Sequence, residues 1–441
     1  MNGVPPILDK STQLAQRLAR HPALQERIES ILTIMESNSD DLKRADEAER
    51  QIIETLRQLG HDALSGWAQQ HEAAAADQGR QSGLASYGSK KLYWHSTYGQ
   101  IEVNERLFRQ GSCLQRPFSA SAAVRCRGVS APLQRVVTDF GADHPFRQVS
   151  EKLQEHYGIS LPPETIRQTT ERHGRLMLED TVLETTRPER PGKACVLVEM
   201  DGGMVPIVTS APEAADRRKG KTLNWQELKL CIARELGSAP RFYGGTFNGG
   251  TEQAGQHLHH CACLAGFGRA TDIHGVGDGA VWIADQIEHC FGSQGAYLVD
   301  FYHLSEYLAE AAASCSSDTD AWLEQRQAEL KANRSAKVLE ALLPHLEAPA
   351  TADAQAPVRK AYRYLNNRRE QVDYAGAIRQ GRPIGSGEIE SAHRFVVQAR
   401  LKKPGAWWAA ENVDPMLALR VTRLNGGWNE YWQNFSACKA A

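Results

Sequence analysis

The sequence lacks any apolar run long enough to span a bilayer, which takes about 20 consecutive apolar residues. Residues Met1–Lys10 also lack the basic-then-apolar order of a secretory signal peptide. The nine cysteines have no regular spacing, which disfavours a disulfide framework and indicates a reducing compartment. We therefore expect a cytoplasmic protein without a membrane partner.

An excess of charge of either sign is also missing. The chain has 51 Lys and Arg against 53 Asp and Glu, a formal net charge of −2. Any contact with nucleic acid must therefore come from local basic patches. At 441 residues, with 41% hydrophobic and 24% charged residues, the composition is typical of a globular protein with two or three domains.

One short apolar stretch organises the rest of the chain. Residues Cys195–Met200 lead directly into Asp201, and Gly202 and Gly203 follow. An apolar run this short, bounded by glycines and proline, predicts a buried strand. The same order recurs downstream, where a short strand ends at Asp278 between two glycines. The alternation of strand, helix and strand that follows indicates an α/β sheet with parallel neighbours.

A third carboxylate, Glu390, lies on a predicted helix that begins near Gly385 and Gly387. Three carboxylates on separate elements, each beside glycines that leave room for a substrate, suit two-metal phosphoryl transfer. The sequence therefore predicts Asp201, Asp278 and Glu390 as catalytic ligands of two Mg²⁺ ions, with Mn²⁺ as the alternative metal. Glu199 lies on the same strand face as Asp201 and is a supporting candidate.

Residues 131–186 have the periodicity of three short helices. A Gly-containing turn at Tyr157–Ser160 precedes the third helix, which begins near Pro162-Pro163 and carries Arg167, Arg172 and Arg175. This order is typical of a helix-turn-helix DNA-binding region. A plain three-helix bundle has the same pattern and remains the alternative.

The N-terminal region, residues 1–88, also has helical periodicity. It is either a multimerisation or end-binding module or an amphipathic helical pair packed on the body. Residues Ala73–Gly88 are rich in Ala, Gly, Gln and Ser and are predicted to be a linker. Residues 89–130 begin with a β-hairpin over 92–108.

The segment His257–Cys263 concentrates three histidines and two cysteines. Ligands this dense on one helix point in several directions, and no second pair follows at zinc-finger spacing. We favour a partly buried helix packed on the sheet over a metal site.

Several motifs, in this order, resemble those of bacterial insertion-sequence transposases of the Kra-type group, which is related to Mutator-like DDE transposases. They are Asp201-Gly-Gly-Met-Val-Pro206, Trp225-Gln-Glu-Leu-Lys229, Gly277-Asp-Gly-Ala-Val-Trp-Ile283, Leu298-Val-Asp-Phe-Tyr-His303 and Pro383-Ile-Gly-Ser-Gly-Glu-Ile-Glu-Ser391.

The resemblance implies an α/β fold with an RNase H-like catalytic core. The first part of that core would span 193–303, an all-helical insertion 304–380, and the closing helix and C-terminal tail 381–441. The family often has a Cys-x-x-Cys zinc knuckle after the hairpin. Gln110 and Cys113 occupy that place here, so the knuckle in 89–130 is degenerate.

The resemblance also assigns roles to single residues. The family pattern Gly-x-x-Glu-Ser selects Glu390 rather than Glu388 as the third ligand. Asp300 and His303 fall on the family's Asp-x-x-His motif, which lies near the active site and supports it.

The implied function is binding to the terminal inverted repeats of an insertion sequence, followed by cleavage and strand transfer into target DNA. A homo-oligomer on DNA, associated with the nucleoid, is the expected assembly. An RNase H-like nuclease without strand transfer and a DNA-binding remnant without catalysis are the alternatives. Besides the three arginines of the helix-turn-helix, the residues predicted to contact DNA are Arg217, Arg218, Lys219, Lys221, Arg394, Arg400, Lys402 and Lys403.

Overall fold

The computed structural model describes residues 10–37, 40, 44–210 and 220–440. The fold is a mixed α/β structure with two mixed sheets and many helices. Contacts divide the chain into two compact units, one of residues up to Thr170 with those from Trp432, and one of Glu171–Tyr431. No helix in the described ranges is long and apolar enough to cross a membrane.

The N-terminal part begins with helices, continues with a sheet of order β3-β2-β1-β4 and ends with three further helices. Its elements are α1 (Lys10–Leu18), α2 (Pro22–Glu36), α3 (Ala45–Gln81), β1 (Ala85–Ser96), β2 (Gly99–Gln110), β3 (Cys113–Gln115), α4 (Pro117–Ser121), β4 (Gly128–Val129), α5 (Ala131–Asp143), α6 (Phe146–Tyr157) and α7 (Pro163–Asp180).

The linker predicted at Ala73–Gly88 is wrong. Helix α3 continues to Gln81, and β1 begins at Ala85. Ala75 is buried in a cluster with Leu92 and other residues of the β1–β2 hairpin. Alanine favours helix strongly, and burial against the hairpin overrides the polar composition that suggested a loop.

Helices α5, α6 and α7 enclose a common apolar core that includes Leu133, Val149 and Ile166. Gly158 ends α6 in the left-handed conformation, with φ of 66°. Glycine adopts that conformation without the penalty that a Cβ atom imposes. The chain can therefore turn at this point into the segment that leads to α7.

The second unit contains a five-stranded sheet of order β7-β6-β5-β8-β9. Strand β5 pairs antiparallel with β6 and parallel with β8, while β6–β7 is antiparallel and β8–β9 is parallel. The elements of the sheet region are β5 (Cys195–Ser210), β6 (Lys221–Glu235), β7 (Phe242–Thr246), α8 (Gly250–Leu264), β8 (Asp272–Gly277), α9 (Val281–Phe291) and β9 (Gly295–Val299).

The two faces of β5 have different neighbours. Val196, Val198 and Met200 share a core with residues of α8 and α9, such as Leu258 and Ile287. Because side chains alternate along a strand, Glu199 and Asp201 point to the opposite face. This alternation separates the polar residues of β5 from its apolar core.

The chain then forms a helical region with its own apolar core around Leu304, Leu330, Leu365 and Tyr374. It returns to the sheet through residues 382–386, where Arg382 pairs with Asp272 of β8 at 2.7 Å. The helices are α10 (Phe301–Cys315), α11 (Thr319–Lys331), α12 (Ser335–Leu342), α13 (Pro357–Asn366), α14 (Tyr374–Arg379), α15 (Gly387–Ala392), α16 (Val413–Leu424) and α17 (Trp428–Ala440), with a π-helical turn over 393–398 after α15.

Candidate active site beside β5 and β8

Asp201 lies within β5, and Asp278 directly follows the neighbouring parallel strand β8. The ladder between β5 and β8 ends with the pair Glu199–Val276, and the same offset continued two residues beyond the ladder matches Asp201 with Asp278. Neighbouring strands are about 4.8 Å apart, and residues in register point to the same face of a sheet. The pairing of the two strands therefore predicts that the two aspartates lie near one another beyond the end of β8.

The side chain of Asp201 is oriented by its own strand and by a helix. Its Oδ1 accepts a hydrogen bond from the backbone N–H of Gly202 at 2.7 Å. Its Oδ2 lies 3.2 Å from Nε2 of His393. A Cβ atom on Gly203 would lie 2.6 Å from Cε1 of the same imidazole. The absence of a side chain at Gly203 therefore lets His393 approach Asp201.

Asp278 lies in a loop whose backbone is held from the helical region. Its Oδ1 accepts a hydrogen bond from the N–H of Ala280, while its carbonyl accepts one from the hydroxyl of Tyr364. The next carbonyl, of Gly279, accepts a hydrogen bond from Nε of Arg368 at 2.7 Å. Gly279 has φ of 86°, a conformation that favours glycine. The second aspartate is thus held in place by helix α13 and the residues just after it.

Helix α15 carries the two glutamates that compete for the third position. Glu388 accepts hydrogen bonds from Nε of Arg234 at 2.6 Å and Nε of Arg241 at 3.2 Å. Glu390 is exposed and lies one turn before His393. Residues three apart on a helix are neighbours on its surface, so Glu390 flanks the imidazole that contacts Asp201. Two arginines therefore engage Glu388, and the choice of Glu390 as the third ligand stays a prediction.

Glu199 connects the strand of Asp201 to this helix. It is completely buried, and its Oε2 accepts a 2.7 Å hydrogen bond from the N–H of Ile389. Burial raises the pKa of Glu199 to about 8, and the hydrogen bond from Ile389 opposes the shift. Glu199 therefore positions α15 as an uncharged side chain at neutral pH, which is consistent with the supporting role predicted for it.

Asp300 has a structural role beside the site. Its Oδ1 accepts hydrogen bonds from the N–H groups of Tyr302 and His303, which caps α10. Its Oδ2 accepts from both the N–H and the hydroxyl of Ser386, at 2.6 and 2.5 Å. The carboxylate thus joins the start of α10 to the residue that precedes α15.

His303 lies farther along the same surface. Its ring packs edge-on against Tyr307 and Tyr364, and it lines a cavity of about 570 Å³ with Lys360 and Arg368. Because Tyr364 and Arg368 also hold the Asp278 loop, this cavity adjoins the predicted site.

The residues predicted to contact DNA have different surroundings. Arg217, Arg218 and Lys219 lie outside the described residues. Arg400 needs a correction, since it is only 2% exposed and its guanidinium lies 4.6 Å from the ring centroid of Trp408. A buried, stacked arginine stabilises the fold and cannot meet a phosphate from this position. The remaining residues of the central region that keep some exposure are Lys221, Arg394, Lys402 and Lys403.

The three arginines of α7 are also differently placed. Arg167 forms a bidentate pair with Glu164, and its closest contact is 2.6 Å. Arg175 donates to Oδ1 of Asn412 at 2.7 Å. Arg172 is exposed, with Nη2 3.4 Å from Nε2 of His173.

The cysteines of the candidate zinc motifs are free thiols. Cys113 and Cys126 are exposed free cysteines, and Cys261 and Cys263 are buried free cysteines on α8. In residues 10–37, 40, 44–210 and 220–440, no three Cys, His, Asp or Glu side chains come together in a group that could hold a metal ion.

That finding applies equally to the predicted carboxylates. Asp201, Asp278 and Glu390 lie on adjoining elements but do not form a closed ligand set. Their donor atoms are nevertheless of the kind Mg²⁺ takes, because this ion is usually held by one or two carboxylates with waters and substrate phosphates completing its shell. The residues therefore fit a divalent cation whose coordination the substrate completes.

Comparison with known families gives a partial match. The model of an uncharacterised protein family, UPF0236, matches residues 268–433. The matched span contains Asp278, Glu390 and His393 but not Asp201. No match was found among curated proteins.

Proposed function

We propose that this protein is a DDE transposase, an enzyme that binds the ends of an insertion sequence and joins them to target DNA. The observation that carries the proposal is the parallel pairing of β5, which contains Asp201, with β8, which Asp278 directly follows. The helix of Glu390 packs against β5 through Glu199. Three carboxylates from separate elements would then face one edge of the sheet.

The sheet order supports an RNase H-like core. In such a core three antiparallel strands are followed by two strands parallel to the first, which corresponds to β7-β6-β5-β8-β9 here. The helices between Phe301 and Arg379 would be the insertion that separates the second aspartate from the glutamate. Helices α5, α6 and α7 would be the helix-turn-helix that reads the terminal repeats.

The chemistry follows from the donors. Asp201, Asp278 and Glu390 would hold two Mg²⁺ ions, which when bound supply activation of the attacking oxygen and stabilisation of the leaving oxygen. Glu199 keeps α15 against β5, and Tyr364 and Arg368 hold the Asp278 loop. Exposed cations, including Lys221, would contact DNA phosphates without reading sequence.

The test is a cleavage and joining assay with the DNA that flanks the gene and Mg²⁺. We expect the wild-type protein to cut at the element ends and to join them to a target duplex. Asp278→Asn should abolish both steps. Asp285→Asn, a matched change at an exposed residue of α9, should leave both intact. Cleavage without joining would identify a nuclease, and end-binding without cleavage a catalytically lost remnant, so either result would overturn the proposal.

Binding can be separated from chemistry by gel shift with the terminal repeat. Asp278→Ala should bind as well as wild type, because no DNA-binding cation is lost. Replacing Arg167 and Arg172 together by Ala should weaken binding and reduce its salt dependence by about one or two counterions. Equal loss of DNA binding in both variants would contradict the proposal that α7 binds the DNA and the carboxylates act in cleavage.

A further inference from the structure

The imidazole of His393 is buried, and one of its nitrogens has no hydrogen-bond partner among the residues that the structure describes. The residue is 7% exposed, and its Nε2 makes no hydrogen bond to any part of the chain that the structure describes. Leaving such an atom unsatisfied is unfavourable, and a buried atom in this state often faces an ion or a water.

The nearest acceptor to Nε2 is Oδ2 of Asp201, at 3.2 Å. The two atoms are close but not aligned for a hydrogen bond, since Nε2 remains unsatisfied. Two donors bound at right angles to one octahedral cation, each about 2.1–2.2 Å from it, are separated by about 3 Å. The spacing of Nε2 and Oδ2 therefore suits adjacent ligands of one metal ion.

The surroundings favour the same arrangement. Oδ1 of Asp201 is engaged by the N–H of Gly202, which leaves Oδ2 directed to the imidazole. Gly203 provides the space for the ring. Glu390, one helical turn before His393, carries a further carboxylate on an adjacent face of the helix.

We propose that His393 is a nitrogen ligand, paired with Asp201, for one of the divalent cations of the site. Imidazole suits first-row transition metals, whereas Mg²⁺ prefers oxygen donors almost exclusively. The site would therefore prefer a dication such as Mn²⁺ to Mg²⁺. This inference rests on the proposed function only in assuming that the metal ion serves DNA cleavage and joining. Metal binding itself can be measured without DNA.

The experiment measures Mn²⁺ binding to the DNA-free protein by the loss of the free-ion electron paramagnetic resonance signal, with Mg²⁺ as competitor. Wild type should bind Mn²⁺ more tightly than Mg²⁺. His393→Gln should weaken Mn²⁺ binding by about 10–100-fold and remove most of the preference over Mg²⁺. Asp201→Asn should weaken the binding of both ions. His345→Ala, at an exposed histidine in the same unit, should change neither.

Unchanged Mn²⁺ affinity in His393→Gln, or no Mn²⁺ binding by folded wild type, would overturn the inference. Gly203→Ala, which displaces the ring without removing it, provides a second variant if His393→Gln fails to fold. A protein that binds Mn²⁺ through His393 but neither cuts nor joins DNA would retain the metal site and refute the transposase. Conversely, if the protein joins DNA but wild type and His393→Gln bind Mn²⁺ with equal affinity, the transposase would stand and the metal-ligand role of His393 would be refuted.

Discussion

The backbone N–H of Ile389 donates a 2.7 Å hydrogen bond to Oε2 of Glu199. This bond joins the strand that carries Asp201 to the helix that carries Glu390. The acceptor is completely buried, and burial is the main reason that its pKa is raised to about 8. The position of Glu390 therefore depends on a carboxyl group that is uncharged in the neutral range.

We expect Glu199 to make the free energy of unfolding depend on pH. Its folded pKa of about 8 exceeds the ordinary value of 4.5, so the native state binds more protons than the unfolded state between these values. The stability it contributes is fully present below pH 4.5 and is lost as pH rises through 8, by on the order of 3–5 kcal/mol. Glu199→Gln removes the titration and keeps an acceptor for Ile389.

The measurement is the urea unfolding of both metal-free proteins at pH 5, 6.5 and 8. The difference in unfolding free energy between Glu199→Gln and wild type should increase steadily with pH. A difference that stays constant across this range would show that Glu199 titrates normally.

Gly203 and Gly202 form a matched pair of test positions. A Cβ atom on Gly203 would lie 2.6 Å from the ring of His393, which is buried and cannot move aside easily. A Cβ atom on Gly202 would meet Oε1 of Glu227, the far end of a half-exposed flexible side chain. Gly203→Ala should lower the free energy of unfolding by about 1–3 kcal/mol and Gly202→Ala by less than about 1. Similar losses in the two variants, measured by urea denaturation, would contradict this view of the site.

Arg368 should contribute more to the site than its neighbour Arg363. The guanidinium of Arg368 donates to the carbonyl of Gly279 and lies 4.1 Å from the ring centroid of Tyr364. Arg368→Met should therefore cost about 1.5–3 kcal/mol and reduce DNA cleavage, because the Asp278 loop loses a support. Arg363→Met removes only an exposed pair with Asp353 and should cost less than about 1 kcal/mol. Thermal unfolding and the cleavage assay test both variants, and full cleavage by Arg368→Met would disprove the supporting role.

Asp300 and Asp318 both cap helices but differ in how many groups they bind. Asp300 accepts four hydrogen bonds, two of them from Ser386, whereas Asp318 accepts one from the N–H of Ala321. In Asp300→Asn an NH₂ group replaces one carboxylate oxygen and faces the N–H or O–H groups that this oxygen accepted from. The variant should therefore lose about 2–3 kcal/mol of unfolding free energy. Asp318→Asn should cost only a few tenths, because Asn is a good N-cap. Equal unfolding midpoints in the two variants would refute the connection between α10 and α15.

The local sequence was sufficient to predict secondary structure where neighbouring residues determine the backbone conformation. The apolar run before Asp201 correctly predicted a strand, and the Gly-Asp-Gly at Asp278 correctly predicted the end of another, because a short apolar run between glycines is compatible with few other structures. The end expected after Asp201 was wrong, since β5 continues through Gly202 and Gly203 to Ser210 and pairs with β6 over this whole length. The left-handed Gly158 ended α6 at the predicted turn. In these places the signal and the structure it specifies lie within a few residues of one another.

Only the tertiary structure could place the side chains that act together. The polar, alanine-rich end of α3 became helix because the β1–β2 hairpin buries it, and Arg400 became a core residue because Trp408 lies over it. His393 lies three residues from Glu390, yet the role proposed for it depends on its contact with Asp201, which is on a strand far away in sequence. Periodicity specifies which face of an element a residue occupies, but packing between distant elements decides what that face meets.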